Sequence, residues 1–333
     1  MNKRIVPLDL HQIRWQSLKG KKHKVERISF AKTWKKGGAL AQFIDSLPAI
    51  LAGQDFKEVA KKIGEAVRRK RMVLLGMGAH PIKVGLSPVL IDWMEKGVLK
   101  GLAMNGAGVI HDLELAMVGH TSEEVEEELS KGTFGMVKET HETINGAIQK
   151  GAKEGLGIGQ ALGRTILEGK FRFKHLSLLS AGRRLGIPVT VHVAIGTDIT
   201  HMGPFADGAA MGQGSLQDFR TFASLVSQLE KGIFINLGSA VILPEVFLKA
   251  LALARNLGHP VSNLTTVNMD FIQHYRPSVN VVKRPTLQGG KGYTLIGHHE
   301  IMFPLLAAAV VENLKGSRSQ GFMGSSAILE KKK

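Results

Sequence analysis

The spacing of apolar positions alternates along the chain between helical and strand-like periods. From about residue 38, Ala39, Phe43, Ile44, Leu47 and Leu51 recur on one helical face, and a second helix follows through Val59, Ile63 and Val67. Residues 72–75 are then a short continuous apolar run that ends at Gly76 and Gly78. That is the pattern of a buried parallel strand feeding a tight turn. The unit recurs. A helix over 88–96 leads to a strand at 102–104, and a long helical stretch runs over 109–185 with breaks near Gly132 and Gly151. After it the spacing predicts a strand at 189–193, a loop to Gly214, a helix over 216–230 and a strand at 233–236. A helix over 244–257 and a strand at 264–267 come next, then a polar loop over 268–293, a strand near 294–296 and a helix over 300–314. Strands separated by helices, each closing on glycine or a small polar residue, predict an α/β fold: a parallel sheet with helices on both faces.

Length and composition narrow the class. With 333 residues, 44% of them hydrophobic, the chain can bury a sizeable core. No segment is marked as a linker between two domains. We therefore divide it into a basic N-terminal extension at 1–37, one α/β domain at 38–315 and a basic tail at 316–333. The absence of cysteine excludes disulfides, thiolate metal sites and a cysteine nucleophile. No apolar run is long enough for a membrane helix and no signal-peptide pattern is read, so a cytoplasmic protein is expected. The net charge of +16 is uneven: residues 1–36 hold 11 Lys/Arg against Asp9 and Glu26. Such an arm reads either as a solvated extension or as a contact for an acidic partner, with nucleic acid the weaker choice.

In an open parallel sheet, ligands gather at the carboxyl ends of the strands. Those ends carry five turns: residues 76–80; Asn105, Gly106, Ala107 and Gly108; residues 196–198 with Asp198; Gly238, Ser239 and Ala240; and Asn268 to Asp270. Small residues there let a backbone approach a phosphate or ring, and adjoining helix N-termini favour anions. Close strand-to-helix packing demands the same glycines. Neither a complete G-x-G-x-x-G turn nor a G-x-x-x-x-G-K-[ST] loop occurs, so a nucleotide site here uses another arrangement. His298, His299 and Glu300 stand at a strand-to-helix turn without metal-ligand spacing, and no metal site is expected. His80, His111, His192 and His201 also fall near strand ends.

Several of these stretches resemble deoxyhypusine synthase, over roughly residues 72–312. The run GVLKGLAMNGAGVIHDLELAMVG at 97–119 is similar to that family's helix, strand and TTAGGVEED-type turn, with Asp112 at its acidic end. IPVTVHVAIGTD at 187–198 resembles the strand into the family's TDGS turn, with Ile199 in place of its glycine. GIFINLGSAV at 232–241 resembles its strand into a triple-glycine turn, and MFPLL at 302–306 the start of its last helix. The resemblance implies a Rossmann-like, deoxyhypusine synthase-like NAD-binding fold, NAD as cofactor and a homotetramer with sites near subunit interfaces. It implies hydride transfer from an amine and an imine on a lysine, for which Lys283 stands at the family's spacing from Phe303. Chemically, a desolvated neutral lysine suits that role. The chain departs from the pattern: no Trp-Gly precedes Lys283, Pro244 replaces a histidine, and the loop with Arg276, Lys283 and Arg284 is basic where the family's is acidic.

These readings combine into an expectation. The chain is a divergent NAD-dependent enzyme, with turnover itself left open, acting on an unidentified small molecule or protein side chain, and the basic loop favours an anion. Lys283 would be catalytic. Asn105, Gly106, Ala107, Gly108, Asp198, Gly238, Ser239, Ala240, Asn268 and Asp270 would hold NAD, and His111, Arg276, His298 and His299 would face substrate. The alternatives are aminobutyl transfer from spermidine, making deoxyhypusine or homospermidine, and NAD binding without turnover.

Overall fold

The computed structural model describes residues 5–314. Six strands form one sheet: β1 (Val73–Met77), β2 (Gly101–Asn105), β3 (Val189–His192), β4 (Ile233–Leu237), β5 (Thr265–Asp270) and β6 (Lys291–Ile296). Their order is β3-β2-β1-β4-β5-β6 and every neighbouring pair is parallel. The order runs outward from β1 in both directions, so the connections part between β1 and β4. This is the Rossmann-like arrangement, and in such a fold the parting marks the carboxyl ends of those two strands as the place for a ligand crevice.

The helices are α1 (Leu40–Ser46), α2 (Leu51–Arg68), α3 (His80–Lys83), α4 (Ser87–Glu95), α5 (Gly106–Val118), α6 (Val125–Lys131) and α7 (Lys138–Lys153). They continue with α8 (Ile158–Glu168), α9 (Leu178–Leu185), α10 (Gly208–Val226), α11 (Ile242–Asn256) and α12 (His299–Leu314). Strand side chains alternate between two cores. Val73, Leu75 and Met77 of β1 pack with α2, α4, α5, α8, α9 and α12, whereas Leu74 faces α10 and α11. On β4, Ile233, Ile235 and Leu237 join the first core and Phe234 the second, where it stacks on Phe247 at 3.8 Å between centroids. Each fully buried side chain of this kind contributes roughly 1.5–3 kcal/mol, so the sheet is clamped from both faces. This double burial is why β1 and β4 read as continuous apolar runs.

Three boundaries differ from the sequence expectation. The 109–185 stretch is five helices, α5 to α9; Gly119 ends α5 in the left-handed region (φ 80°), and Gly132 does the same for α6 (φ 73°). Helix α10 begins at Gly208 rather than 216. Asp207 caps it, accepting from the amides of Ala209 (2.9 Å) and Ala210 (3.0 Å), and this cap offsets the glycines that made the segment read as loop. Residues 268–293 are not one polar loop. β5 continues to Asp270, residues 277–283 form a π-helical segment, Arg284–Thr286 a single 3-10 turn, and β6 starts at Lys291. A π-helical repeat does not follow the 3.6-residue spacing by which helices are read.

Residues 5–38 lie outside both cores. Their three single turns, Leu10–Gln12, Leu18–Gly20 and Arg27–Ser29, bury nothing. The basic tail at 316–333 lies outside the described residues. Among those described, no helix is long and apolar enough to cross a membrane.

Candidate functional site

At the crevice between β1 and β4, two glycine turns touch. The amide of Gly78 donates to Leu237 O at 3.2 Å, and a Cβ on Gly78 would fall 2.3 Å from Gly238 O. Gly238 has φ 64°, and a Cβ on it would meet the His299 ring at 2.7 Å. Both positions therefore need glycine, the second for conformation as well as space.

The bare backbone at Gly238 lets three elements bring side chains together. His299, the first residue of α12, is 1% exposed and lies with Nε2 3.6 Å from Asp270 Oδ1, beyond hydrogen-bond reach. Neither ring nitrogen of His299 makes a well-formed hydrogen bond among the described residues; the Met269 backbone is near enough to favour its proton but is poorly aligned. Burial depresses its basicity, and nearby His80 adds to this against the opposing pull of Asp270. The imidazole is thus neutral at pH 7, with one donor and one acceptor nitrogen. Asp270 Oδ1 accepts from the Phe271 amide at 2.9 Å. His80 lies 5.4 Å from His299 and 5.8 Å from Phe271 between centroids; Phe271 and His298 are nearly parallel (8°) at 6.1 Å. The structure thus joins Asp270, His298 and His299, and adds His80 and Phe271, which the sequence reading had left out of the site. Their signal was position: His80 follows the β1 turn and Phe271 directly follows Asp270.

The turn after β2 is already occupied. Asn105 Oδ1 accepts from the Gly108 amide at 3.1 Å, and the Asp198 carboxylate receives the Ala107 amide. It sits where a Cβ on Gly106 would come within 1.9 Å. Burial raises the proton affinity of Asp198, while His201, 3.8 Å away, and Ala107 oppose the rise. Asn105, Gly106, Ala107, Gly108 and Asp198 are therefore brought together, and the helix N-terminus is satisfied from within the protein. One turn further along α5, His111 Nδ1 lies 2.7 Å from Thr121 Oγ1, which donates to Glu114. The Thr121 proton is committed to Glu114, so His111 Nδ1 carries the hydrogen and Nε2 is left as acceptor. Burial, helped by Lys83, lowers the His111 pKa to about 4.

Asn268 and Ser239 shape the β4 turn from behind. Asn236 donates through Nδ2 to Asn268 Oδ1 (2.8 Å) and to Ser239 O (2.9 Å), and Ser239 Oγ accepts from the Leu243 amide (3.1 Å). Ala240 follows, half-buried, at the crevice. Asn236, absent from the sequence-based set, fixes this turn. Asp112 also has a structural part: fully buried on α5, it accepts from Ser177 Oγ and from the amides of Leu178 and Leu179 at the start of α9.

Lys283 is not brought to this rim. It ends the π-helical segment, which crosses back beside α11 to the start of β6; the preceding Val282 O lies where a Cβ on Gly292 would come within 2.2 Å. That is the amino end of the sheet, opposite the crevice. Arg276 remains near the strand ends, with its Nε 3.4 Å from Glu245 Oε1. The same Glu245 pairs with Lys249 and accepts from Asn280 at 2.8 Å, while Arg284 donates to Asn280 at 2.8 Å. The positive charge of the loop is gathered around Glu245, away from Asp270 and the imidazoles. Among the described residues no three His, Asp or Glu side chains converge as a metal site.

No family model and no curated protein sequence matches the chain. Solved structures do. A Methanococcus maripaludis S2 protein assigned to the LOR/SDH class superposes with a TM-score of 0.53 at 15% identity, covering 88% of this chain and 75% of that one. AgrE, solved with ornithine and NAD+, gives 0.50 at 14% identity and covers 79% of this chain. The chain spans 34% of AgrE's length. A candidate deoxyhypusine synthase from Entamoeba histolytica gives 0.49 at 11% identity over 85% of this chain and 96% of that one, a likeness too slight to carry an argument. At these identities the similarity is one of fold.

Proposed function

We propose that the chain binds NAD across the crevice between β1 and β4 and is an enzyme that uses it for hydride transfer. One observation carries the reading: a fully buried imidazole, His299, stands under the Gly238 turn with neither nitrogen in a well-formed hydrogen bond, only the Met269 backbone and Asp270 lying near it. A buried polar group left unpaired costs about 1–3 kcal/mol. Its position at the reversal of strand order is where a ligand would supply the missing partner. The residues present fit a flat ring, since Phe271, His80 and His298 offer faces and edges around His299. Gly78 and Gly238 allow close backbone approach. When bound, NAD supplies the hydride acceptor. His299, held neutral beside Asp270, takes the proton released as the donor is oxidised. That AgrE was solved with NAD+ on a similar fold is consistent with this reading.

The rim also bears on the substrate. Asp270, Phe271 and the imidazole rings suit an amine, which a carboxylate and aromatic faces attract. The cations that favoured an anion are gathered at Glu245 or, for Lys283, stand at the other end of the sheet. This arrangement favours amine oxidation, which is also the opening step of aminobutyl transfer from a polyamine, and gives Lys283 no imine to carry at this rim.

Calorimetric titration with NAD tests the cofactor; no heat and no thermal stabilisation at millimolar NAD would refute it. Absorbance of NADH with spermidine or putrescine, against hydroxy acids, tests the donor class. His299→Ala should keep NAD binding within several-fold and lower turnover by roughly 10²–10⁴, the usual worth of a general base.

A further inference from the structure

The N-terminal arm poses a problem that the body of the protein does not solve. Its root is anchored: the Ala49 amide donates to Ser29 O and the Lys32 amide to Ser46 O, both at 2.9 Å, and Trp34 meets Phe43 edge-on at 5.6 Å. Residues 5–28 beyond that root bury nothing, yet they carry Ile5 (95% exposed), Leu8 (88%), Trp15 (88%), Leu18 (73%) and Ile28 (83%). Six Lys/Arg, against Asp9 and Glu26, are interleaved with them. Large apolar side chains exposed together along a segment mark a contact surface. The charges select its partner.

The excess positive charge sits mostly in the arm and beyond residue 314: residues 37–314 hold 28 Lys/Arg against 25 Asp/Glu, so a basic arm is drawn to wherever the acidic residues cluster. One face complements it. Helix α6 and its flanks carry Glu123, Glu124, Glu126, Glu127 and Glu128 against Lys131, and between them expose Val125 (43%), Leu129 (63%) and, beyond the helix, Met136 (56%). This face has the same mixture as the arm, apolar side chains set among charges, with the opposite sign. We propose that residues 5–28 of one copy dock on the α6 face of a second copy, so that the protein assembles by exchanging its arm. Apolar contact between the arm's Trp15 and leucines and the Val125–Leu129 face removes both sets from water, and the opposite charges fix orientation and speed encounter. The arm is the donor because its anchored root at residues 29–46 leaves the segment before it free of its own body.

The experiment is a charge swap read by sedimentation velocity on the full chain at micromolar concentration and low salt. One variant carries Lys21→Glu, Lys22→Glu and Lys24→Glu; the other carries Glu124→Lys, Glu126→Lys and Glu127→Lys. All six positions are exposed, so both variants should keep the wild-type circular dichroism, with the melting temperature lowered by the weaker assembly and, in the second variant, by loss of the Glu127–Lys131 pair. Wild type should sediment above the 36.1 kDa of one chain. Each variant alone should self-associate roughly tenfold or more weakly, because like charges then face each other. An equimolar mixture of the two should regain the larger species, since each arm then finds an opposite patch, and this also shows that both variants are folded. A monomeric wild type overturns the proposal. So does an oligomer indifferent to both reversals, a mixture that stays monomeric, or an assembly that nuclease treatment dissolves, which would assign the arm to nucleic acid.

Discussion

Asp218 shows how a single buried residue reads out in solution. On α10 and 3% exposed, it accepts through Oδ2 from the amides of Gly159 and Val191, both at 2.9 Å, and so ties the start of α8 to the edge strand β3. Desolvation outweighs these donors and pushes its pKa up from 3.8 to about 7. A carboxyl with a raised folded pKa contributes most stability below its unfolded pKa, and loses that contribution as pH rises through the folded value. Stability from this group should therefore fall between about pH 4 and pH 7, by up to about 4 kcal/mol for a shift of this size. Denaturant melts across that window measure it. Asp218→Asn should flatten the slope, and an unchanged slope would show that Asp218 is not its source. Gly78 offers a second test. A methyl placed 2.3 Å from Gly238 O forces the β1 and β4 turns apart, so Gly78→Ala should cost roughly 1–3 kcal/mol and abolish NAD binding. Wild-type affinity in that variant would move the nucleotide elsewhere. These two residues also mark the limit of sequence reading. Gly78 was legible as a turn glycine because it ends an apolar run. Asp218 was not, because its partners are backbone amides 59 and 27 residues away, which no side-chain pattern announces.

At the scale of elements, legibility followed periodicity. The strands β1 and β4 and the helices α2 and α11 were readable because burial enforces a fixed spacing on each. The connection from β5 to β6 was not. Its π-helical segment answers to Glu245 on α11, which gathers Arg276, Lys249 and Asn280, and that gathering exists only in three dimensions. The candidate site divides the same way. Turns at the carboxyl ends of strands were visible one by one, but their grouping depends on strand order. His80 reaches His299 across β4 because Gly238 carries no side chain. Lys283 looked close to that group by sequence spacing, and the path of the connection carries it to the far end of the sheet. Glu245→Ala should loosen this connection. The charge pairs are partly exposed and contribute little, so the main loss is the Asn280 bond, about 1–2 kcal/mol in all. Faster hydrogen exchange at 277–286, with β1 and β4 unchanged, is the expected signature. Unchanged exchange there would mean that packing of Val281, Pro277 and Pro285 suffices.

The whole molecule places its stability and its proposed chemistry in different regions, and hydrogen exchange can map both in one experiment. The sheet is buried on both faces, so the amides of β1, β4 and β5 should open only with global unfolding and exchange slowest. The turns that build the crevice belong to the rim of this rigid body. A ligand bound there adds protection through contact and through the ordering of exposed groups such as His80 and Phe271. Millimolar NAD should therefore slow exchange at 78–80, 238–241, 270–272 and 297–300, and shift the melting temperature upward by mass action. It should leave 157–159 and 283–286 unchanged, because those segments lie at the amino ends of β3 and β6. The opposite pattern, protection at 283–286 with none at 238–241, would return Lys283 to the site and remove His299 from it. Protection confined to 105–111 would instead mean that the nucleotide displaces Asp198 from the start of α5. In that case Asp198→Asn, which lowers the negative charge already held there, would tighten binding; at the β1–β4 crevice the same change should leave affinity within several-fold.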